Sequence, residues 1–411
     1  MHKEDRVVVT GFEMITPFGN TNSTWEALIQ GKSSVGVKKD NDLSNMKSRV
    51  VSELDRELLE TSPYKRKIRS IDPIHNLALI ASSAAIKMAG VDQHLFDKEN
   101  TGVVMGSLMG STTSSSKASV LYERNQYNQI SPSLGIQITG NALSAQIAIE
   151  HKLMGPNLTI NTACSTGGQA VVLGSNLIRT GFANTMVVGG VDLITDLGIY
   201  KAYDNLRVMI EDENDLPRPF SKDRNGFAMG EGIGVLILES LSHAEERGAK
   251  IYGEILGTAS TCDAFTMAIP VESGEVVART MSEAIERSGI GIDAIDYISA
   301  HATGTNIGDI TETNAIKKVF GDRAYDIPVS SLKGSIGHTL AAAGSIDIIA
   351  CILSINNMII PPTTNYIDRD EKCDLNYVPN EASRKRIKTC ISNSFGFGGN
   401  NTSVVIREFT N

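Results

Sequence analysis

Short apolar runs alternate along the chain with longer stretches whose apolar residues recur at helical spacing. Runs of four to eight residues rich in Val and Ile are typical of buried strands. The predicted strands are 6–11, 101–107, 158–163, 185–191, 235–239, 251–256, 296–300, 328–332, 389–394 and 403–408. This alternation predicts an α/β protein whose two halves hold about five strands each.

The longer periodic stretches carry recognisable helix boundaries. Asp72 followed by Pro73 predicts a helix start, and Gly90 predicts the end of the same helix. The four clearest predicted helices are 74–89, 170–179, 275–287 and 340–355. Because no low-complexity linker separates the two halves, we expect them to pack tightly against each other.

Composition narrows the classes of function. At 411 residues the chain exceeds the size at which one hydrophobic core stops growing, so two units are expected. A formal net charge of −9 argues against nucleic acid or an anionic membrane as the main partner. The opening MHKEDRVVVTG has no apolar leader, and Ser345 and Asp347 interrupt the apolar run 341–355. A cytoplasmic protein is therefore expected.

One cysteine lies where a strand pattern changes to a helix pattern. Cys164 stands in INTACSTGGQA, and the five cysteines lack the CxxC spacing of a zinc site or a disulfide framework. The free N–H groups at a helix start favour a thiolate and can hold an oxyanion. Cys164 is a candidate nucleophile, with a buried inert cysteine as the alternative.

Further segments place chemically useful side chains after predicted strands. His301 follows 296–300 in SAHATGTNIGD, and Lys333 and His338 flank a glycine-bearing turn in SLKGSIGHTLAAAG. A positive neighbour disfavours imidazolium, so His338 is expected to be a neutral donor. The stretch NSFGFGGNN at 393–401 is expected to be too flexible for a strand core and aromatic enough to gate an apolar channel. Each segment alone also fits a capping or packing role.

Taken in order, these segments resemble the β-ketoacyl synthase (3-oxoacyl-acyl carrier protein synthase) family over essentially the whole chain. The resemblance rests on VVVTG, TACSTG, RPFSKDRNGFAMGEG at 218–232, HATGT, KGSIGH and SFGFGG. It implies a thiolase fold, with duplicated βαβαβ halves in a five-layer α-β-α-β-α stack, usually as a homodimer. The halves would be 1–245, with the nucleophile, and 246–411, with the histidines, the lysine and the gate.

The resemblance also implies an activity. Cys164 would take an acyl group from the phosphopantetheine arm of acyl carrier protein, and malonyl-carrier protein would then lose CO2 and extend that group by two carbons. His301 and His338 would stabilise the charge on the malonyl thioester oxygen. Lys333 would orient His338, and Glu312 would be the buried acid of this network. No metal and no cofactor beyond the carried phosphopantetheine is implied.

Acyl transfer and substrate binding are assigned by the same resemblance. The backbone N–H groups of Cys164 and Phe397 would form the oxyanion hole, and Phe397 would gate malonyl entry. Other residues are assigned to the gate (Phe395, Gly396), to the pantetheine arm and acyl chain (Thr303, Thr305, Asn401, Met109), and to acidic carrier protein (Lys65, Arg66, Arg69 and, more weakly, Arg218).

Some residues depart from the family pattern. Thr266 in DAFTM removes a usual histidine, and Met109 occupies a position that helps set acyl depth. Asn128 and Gln129 precede the SP pair at 131–132 in place of a basic pair, and Ser133 and Leu134 follow it in place of bulky aromatic residues. These departures imply an altered acyl pocket. They leave open housekeeping fatty-acid elongation, or a specialised synthase of polyketide, polyene or lipopeptide chains that is paired with a chain-length-factor partner.

Three other functions stay open. A CoA-dependent enzyme of the thiolase fold would share the nucleophile, but it would not normally carry both histidine motifs. A non-catalytic chain-length or docking subunit typically lacks the cysteine. A cysteine hydrolase on an unrelated fold would need a histidine oriented by an acid or amide, together with access for water.

Overall fold

Fifteen strands lie in the part of the chain that the computed structural model describes, which is residues 6–38, 43–67, 71–90 and 97–410. In chain order they are β1 Val7–Ile15, β2 Gly36–Val37, β3 Val50–Ser52, β4 Thr101–Gly106, β5 Asn157–Ile160, β6 Thr185–Asp192, β7 Met229–Gly230, β8 Gly232–Ser240, β9 Gly253–Cys262, β10 Tyr297–Ser299, β11 Val329–Ser330, β12 Ile359–Ile360, β13 Ser383–Arg384, β14 Thr389–Gly396 and β15 Asn400–Arg407. The ten strands predicted from the apolar pattern each overlap one of these.

Fourteen α-helices connect the strands in the same described ranges. They are α1 Thr21–Ile29, α2 Glu57–Glu60, α3 Pro63–Lys67, α4 Pro73–Met88, α5 Thr112–Glu123, α6 Leu134–Gln137, α7 Ala142–His151, α8 Thr166–Arg179, α9 Leu197–Asn205, α10 Leu241–Glu246, α11 Glu275–Arg287, α12 Asn306–Phe320, α13 Lys333–Ile336 and α14 Ala343–Asn357.

The central sheet repeats one strand order twice. Its order is β11-β10-β14-β15-β9-β1-β8-β6-β4-β5, and the halves meet where β1 and β9 pair antiparallel through Val7 and Ile255. The five strands of each half can be numbered in chain order. From the junction to the outer edge, the order is then first, fifth, fourth, second and third in both halves. The predicted duplication is therefore present. The boundary expected between 245 and 246 falls inside α10 and stays a prediction.

Each half-sheet has helices on both faces. One layer of helices lies between the two half-sheets and is shared by them. On the outer side of the N-terminal half, α4 and α7 pack, and on the outer side of the C-terminal half, α11 packs with α12 against it. Both α8 and α14 contact strands of both halves and each other. Five layers result, in the order α-β-α-β-α, with the largest apolar core around α8 and α14.

The predicted helix boundaries hold within one residue at α4 and α11, but not at α8 and α14. Helix α14 begins at Ala343, after a 3-10 turn at Leu340–Ala342, rather than at residue 340. The carboxylate of Asp72 caps α4 by accepting from the N–H of Ile74 at 3.1 Å, and α11 spans the predicted 275–287. Helix α8 begins at Thr166 rather than at residue 170. A Cβ on Gly167 would lie 2.7 Å from the backbone N of Ser345, so the glycines let α8 approach α14 instead of marking a loop.

The glycine-rich segment 393–401 is more regular than the sequence indicates. Residues 393–396 belong to β14 and pair antiparallel with β15, so the expectation that this segment is too flexible for a strand is wrong there. The turn itself is confined to Phe397–Gly399. Gly398 and Gly399 have φ of 80° and 77°, which explains why glycine is needed at the tip.

One stretch in the described residues, Leu340–Asn357, is long and apolar enough to cross a membrane by length and composition. Of this stretch, 83% is buried inside the protein, where it lies between the two half-sheets. Burial of this kind is what a central core helix requires.

We predict that Gly190→Ala strongly destabilises the fold. A Cβ at this position of β6 would lie 2.1 Å from the carbonyl oxygen of Ala341 at the start of the central helix layer. Overpacking typically costs about 1–3 kcal/mol of unfolding free energy, and we expect a loss at the upper end because the close contact is with backbone. Urea unfolding measures the loss. Gly36→Ala, which would meet nothing within 4 Å, is the matched control. Equal stabilities of the two variants would contradict the packing described.

Candidate active site

Cys164 lies in a tight turn between β5 and α8. Ala163 has a left-handed φ of 52°, a strained conformation for a residue with a side chain. The hydroxyl of Thr166 accepts from the N–H of Thr162 at 2.9 Å and donates to the carbonyl of Ala163 at 2.6 Å. The turn thus holds the cysteine at the end of the strand, directly before the helix, as the sequence predicts.

The end of β14 lies against this turn. A Cβ on Gly396 would lie 2.6 Å from the carbonyl oxygen of Thr162 and 3.0 Å from the backbone N of Cys164, so only glycine fits. The backbone N–H groups of Phe397 and of Cys164 itself both act on the cysteine sulfur and lower the pKa of its thiol. Two backbone donors therefore converge where an oxyanion would form.

The thiol is nevertheless neutral in the free protein. Burial and, as the smaller cause, the charge of the Asp192 carboxylate raise the pKa of Cys164 to about 12. The two N–H groups and Lys333 oppose this rise without cancelling it. The expectation that the helix start holds a thiolate is therefore wrong for the unliganded site, because desolvation of the anion outweighs the helix dipole.

The two histidines come from different loops and meet edge to face. Glu312 of α12 accepts from the N–H groups of His301 at 3.1 Å and Ala302 at 2.8 Å, which fixes the loop after β10. His338 follows Gly337, which has φ of 67°, and its backbone donates to the carbonyl of Ala228. The imidazole centroids lie 5.3 Å apart at 83°.

Both imidazoles are neutral. Burial and, as the smaller cause, the charge of Lys333 lower the pKa of His338 to about 3. Burial, Lys333 and then His338 hold the pKa of His301 well below its ordinary value. Burial is thus a larger cause than the positive neighbour identified from the sequence. Within the described residues, neither Nδ1 atom has a hydrogen-bond partner.

Lys333 is anchored by a residue that the sequence reasoning missed. Its ammonium contacts the Asp347 carboxylate at 2.5 Å and the carbonyl of Ala300 at 3.4 Å. Lys333 therefore acts on His338 through its charge, and its orienting role stays a prediction. In the sequence, Asp347 was noted only because it interrupts an apolar run. A charged residue in such a run was the available sign of a buried ion pair.

Two further buried groups support the loops. Glu312 also accepts from the side-chain amide of Asn393 at 3.1 Å, and burial raises the pKa of Glu312 to about 7. Asp192, at the end of β6, accepts from the N–H of Met109 at 3.0 Å and of Ala341 at 2.8 Å. Burial raises the pKa of Asp192 to about 6. The only sign of Asp192 in the sequence is that a polar residue ends an apolar strand.

A cavity of about 340 Å³ brings most of the predicted residues together. Its walls include Cys164, His301, His338, Thr303, Thr305, Glu312, Phe395, Gly396, Phe397 and Asn401. Met109 lines a neighbouring cavity of about 360 Å³ and belongs to the apolar cluster that contains Cys164. Such a site can accept an acyl group on sulfur and stabilise an enolate oxygen with two neutral donors.

The residues assigned to carrier protein are only partly described. Lys65 lies on α3 and forms an ion pair with Glu60, and Arg218 pairs with Asp215. Arg69 and the side chain of Arg66 lie outside the described residues. Within those residues, no group of three or more His, Cys, Asp or Glu side chains could hold a metal ion.

Models of two domain families match the chain. Beta-ketoacyl synthase, N-terminal domain, matches residues 4–244, and beta-ketoacyl synthase, C-terminal domain, matches residues 252–367. The chain belongs to the beta-ketoacyl synthase family. Among its relatives is 3-oxoacyl-[acyl-carrier-protein] synthase 2 of Synechocystis sp., which is 36% identical over 99% of both chains.

Solved beta-ketoacyl synthases share the fold. One of them is a ketosynthase bound to the hexaketide, in complex with its type II polyketide synthase acyl-carrier protein. It superposes with a TM-score of 0.89 at 30% identity, and the match covers 99% of this chain and 100% of that chain. The ishigamide ketosynthase/chain length factor has a TM-score of 0.90 at 29% identity, with the same coverage. The predicted thiolase fold is confirmed.

We predict that iodoacetamide alkylates Cys164 slowly at pH 7 and about tenfold faster for each added pH unit up to pH 9. Because the thiol has a raised pKa of about 12, its reactive thiolate fraction keeps growing throughout this range. Peptide mass mapping measures the rate, with Cys164→Ser as the blank. A rate that already levels off near pH 7 would show a thiolate and contradict the electrostatics described.

Proposed function

We propose that the protein is a 3-oxoacyl-acyl carrier protein synthase, an acyltransferase that condenses an acyl group held on Cys164 with malonyl-acyl carrier protein. The observation that carries this proposal is the grouping of one buried thiol, two neutral imidazoles and two converging backbone N–H groups at one cavity. The thiol supplies the nucleophile, the N–H pair supports acyl transfer, and the imidazoles support decarboxylation.

In the first half-reaction the Cys164 sulfur attacks the thioester carbonyl of acyl-carrier protein. The tetrahedral oxyanion accepts hydrogen bonds from the N–H groups of Cys164 and Phe397. When it collapses, the bond to the phosphopantetheine sulfur breaks, and the proton from the cysteine passes to that leaving sulfur. Losing one such donor costs about 10²–10³ in rate, so the close fit of Gly396 on the turn matters directly.

In the second half-reaction malonyl-carrier protein loses CO2. Its thioester oxygen becomes an enolate oxygen, which accepts hydrogen bonds from His301 and His338. Neutral imidazoles suit this step because they donate without a prior protonation. The enolate carbon then attacks the acyl carbonyl, the Cys164 sulfur leaves as thiolate and takes up a proton from solvent, and 3-oxoacyl-carrier protein is released two carbons longer.

Substrates reach the cavity on a carrier protein. Thr303 and Thr305 line the cavity and are hydrogen-bonded to each other at 3.2 Å, which suits contact with a pantetheine arm. A solved ketosynthase with TM-score 0.89 is in complex with its acyl-carrier protein. We assign Lys65, Arg66 and Arg69 to the docking of this acidic partner.

The working form proposed is a homodimer built on the free edge of the central sheet. Strand β5 ends the sheet, and Leu158 on it is 41% exposed. Helix α7, which packs against β5, carries the exposed Ile149, and further apolar side chains are exposed in the same half, namely Tyr122, Tyr127, Ile136 and Met154. An open edge flanked by apolar residues favours pairing with a second chain. A chain-length-factor partner is the alternative, since a solved ketosynthase of the same fold is a ketosynthase/chain length factor.

The pathway is proposed at the level of acyl-chain assembly, either in fatty-acid synthesis or in specialised polyketide or polyene synthesis. A relative named for 3-oxoacyl-[acyl-carrier-protein] synthesis supports the first, and ketosynthases of type II polyketide assembly support the second. A cytoplasmic setting is proposed because the five cysteines are all free thiols, as a reducing compartment requires.

We predict that His338→Ala still acquires an acyl adduct on Cys164 but extends it at least about 100-fold more slowly, because one of the two enolate donors is gone. The mass of the intact protein after mixing with acyl-carrier protein measures the adduct. CO2 release from malonyl-carrier protein measures the decarboxylation. Cys164→Ala should show no adduct. Loss of the adduct in His338→Ala with CO2 release intact would reverse the assigned roles.

We predict that Leu158→Lys shifts the protein from dimer to monomer in sedimentation velocity, because a charge on β5 opposes edge-to-edge pairing. Ile367→Lys, at a side chain that is 60% exposed and lies outside the sheet, is the control and should stay dimeric. A Leu158→Lys protein that remains dimeric would move the interface away from β5. A wild-type monomer that dimerises only with a second, different chain would select the heterodimer.

A further inference from the structure

Tyr203, which the sequence reasoning did not single out, lies in the catalytic cavity against the gate. It is on α9, and its ring stacks on that of Phe397 with centroids 6.2 Å apart and planes at 22°. Both rings line the cavity that holds Cys164. The pair therefore joins a helix of the N-terminal half to a loop of the C-terminal half across the site.

The helix end that carries Tyr203 is firmly held. The adjacent Asp204 is buried and accepts from the backbone N–H groups of Lys47 at 3.1 Å and Ser48 at 2.8 Å. Tyr200, one turn earlier, is fully buried and donates its hydroxyl to the carbonyl of Ser48 at 3.1 Å. These contacts anchor the backbone of α9 on both sides of Tyr203, which places its ring against Phe397.

The partner ring belongs to the turn Phe397–Gly399 between β14 and β15, where the side-chain amide of Asn400 donates to the Phe397 carbonyl at 3.1 Å. Gly398 and Gly399, which directly follow Phe397, have left-handed φ angles. On one side the loop is tied by backbone bonds from Gly398 N–H to the Met267 carbonyl at 2.8 Å and from Asp263 N–H to the Gly399 carbonyl at 2.9 Å. Those bonds hold the glycines, whereas the Phe397 side chain faces Tyr203.

Ring position and oxyanion donor belong to the same residue. The backbone N–H of Phe397 acts on the Cys164 sulfur, so a displacement of the Phe397 backbone that opened the cavity would also withdraw a donor from the reacting carbonyl. A contact that holds the whole residue in place would therefore hold both the ring and the donor.

We infer that Tyr203 is a positioning residue whose ring latches Phe397 in the closed, catalytically competent arrangement. The inference rests on the proposed roles of Cys164 and Phe397 and adds a second residue to the gate. An aromatic ring suffices for the latch, because the interaction is stacking; the hydroxyl is not required.

Tyr203→Ala and Tyr203→Phe test the latch. In Tyr203→Ala, single-turnover acylation of Cys164 by acyl-carrier protein should slow by about 2- to 10-fold, the range that an aromatic pair contributes. Alkylation of Cys164 by iodoacetamide needs no oxyanion hole and should stay equal or become faster as the gate opens. Tyr203→Phe should restore both rates to the wild-type values. Leu206→Ala, at an exposed side chain just beyond α9, is the control that should change neither.

The outcomes separate the latch from other roles. Slower acylation with equal or faster alkylation in Tyr203→Ala, together with rescue by Tyr203→Phe, supports it, since general loosening of the fold would lower acylation without rescue. Slower alkylation in Tyr203→Ala would contradict it. Equal losses in the Ala and Phe variants would assign the effect to the hydroxyl and overturn the latch, as would wild-type rates in both. If wild-type protein accepts no acyl group, the proposed function fails, and the alkylation rates alone decide the latch.

Discussion

The site depends on the close contact between α8 and α14 at the centre of the molecule. A Cβ on Gly167 or on Gly344 would lie within 3 Å of the backbone of the opposite helix, so the two helices pack backbone to backbone. The nucleophile turn enters α8, and the His338 loop leads into α14. This contact therefore sets the relative position of the Cys164 turn and the His338 loop. The repeated strand order brings His301 to the same place.

Burial gives the site its chemical character. The same exclusion of water that keeps His301 and His338 neutral also raises the pKa of the Cys164 thiol. The site thus stores no reactive anion while it is empty, and the charge of the reaction is generated only against donors already in place. Lys333 is the one cation among these groups, and its ammonium forms a buried ion pair with the Asp347 carboxylate.

Much of this architecture could be predicted from local patterns, and the parts that could not have a common cause. Strands, helix ends and the position of Cys164 follow from periodicity and turn chemistry, which are properties of neighbouring residues. Asp192, Asp347 and Asn393 could not be assigned, because their partners are distant in sequence. The thiol pKa was mispredicted for the same reason: the helix start is local, whereas the desolvation that outweighs it arises from the whole fold.

The double duty of Phe397 has a consequence for side reactions. Its ring lines the cavity while its N–H faces the cysteine sulfur, so in the proposed mechanism a displacement of this residue would admit solvent and remove an oxyanion donor together. Water that entered in this way would meet the acyl thioester when its carbonyl has lost a donor. The proposed roles of Phe397 would therefore favour carbon–carbon bond formation over hydrolysis.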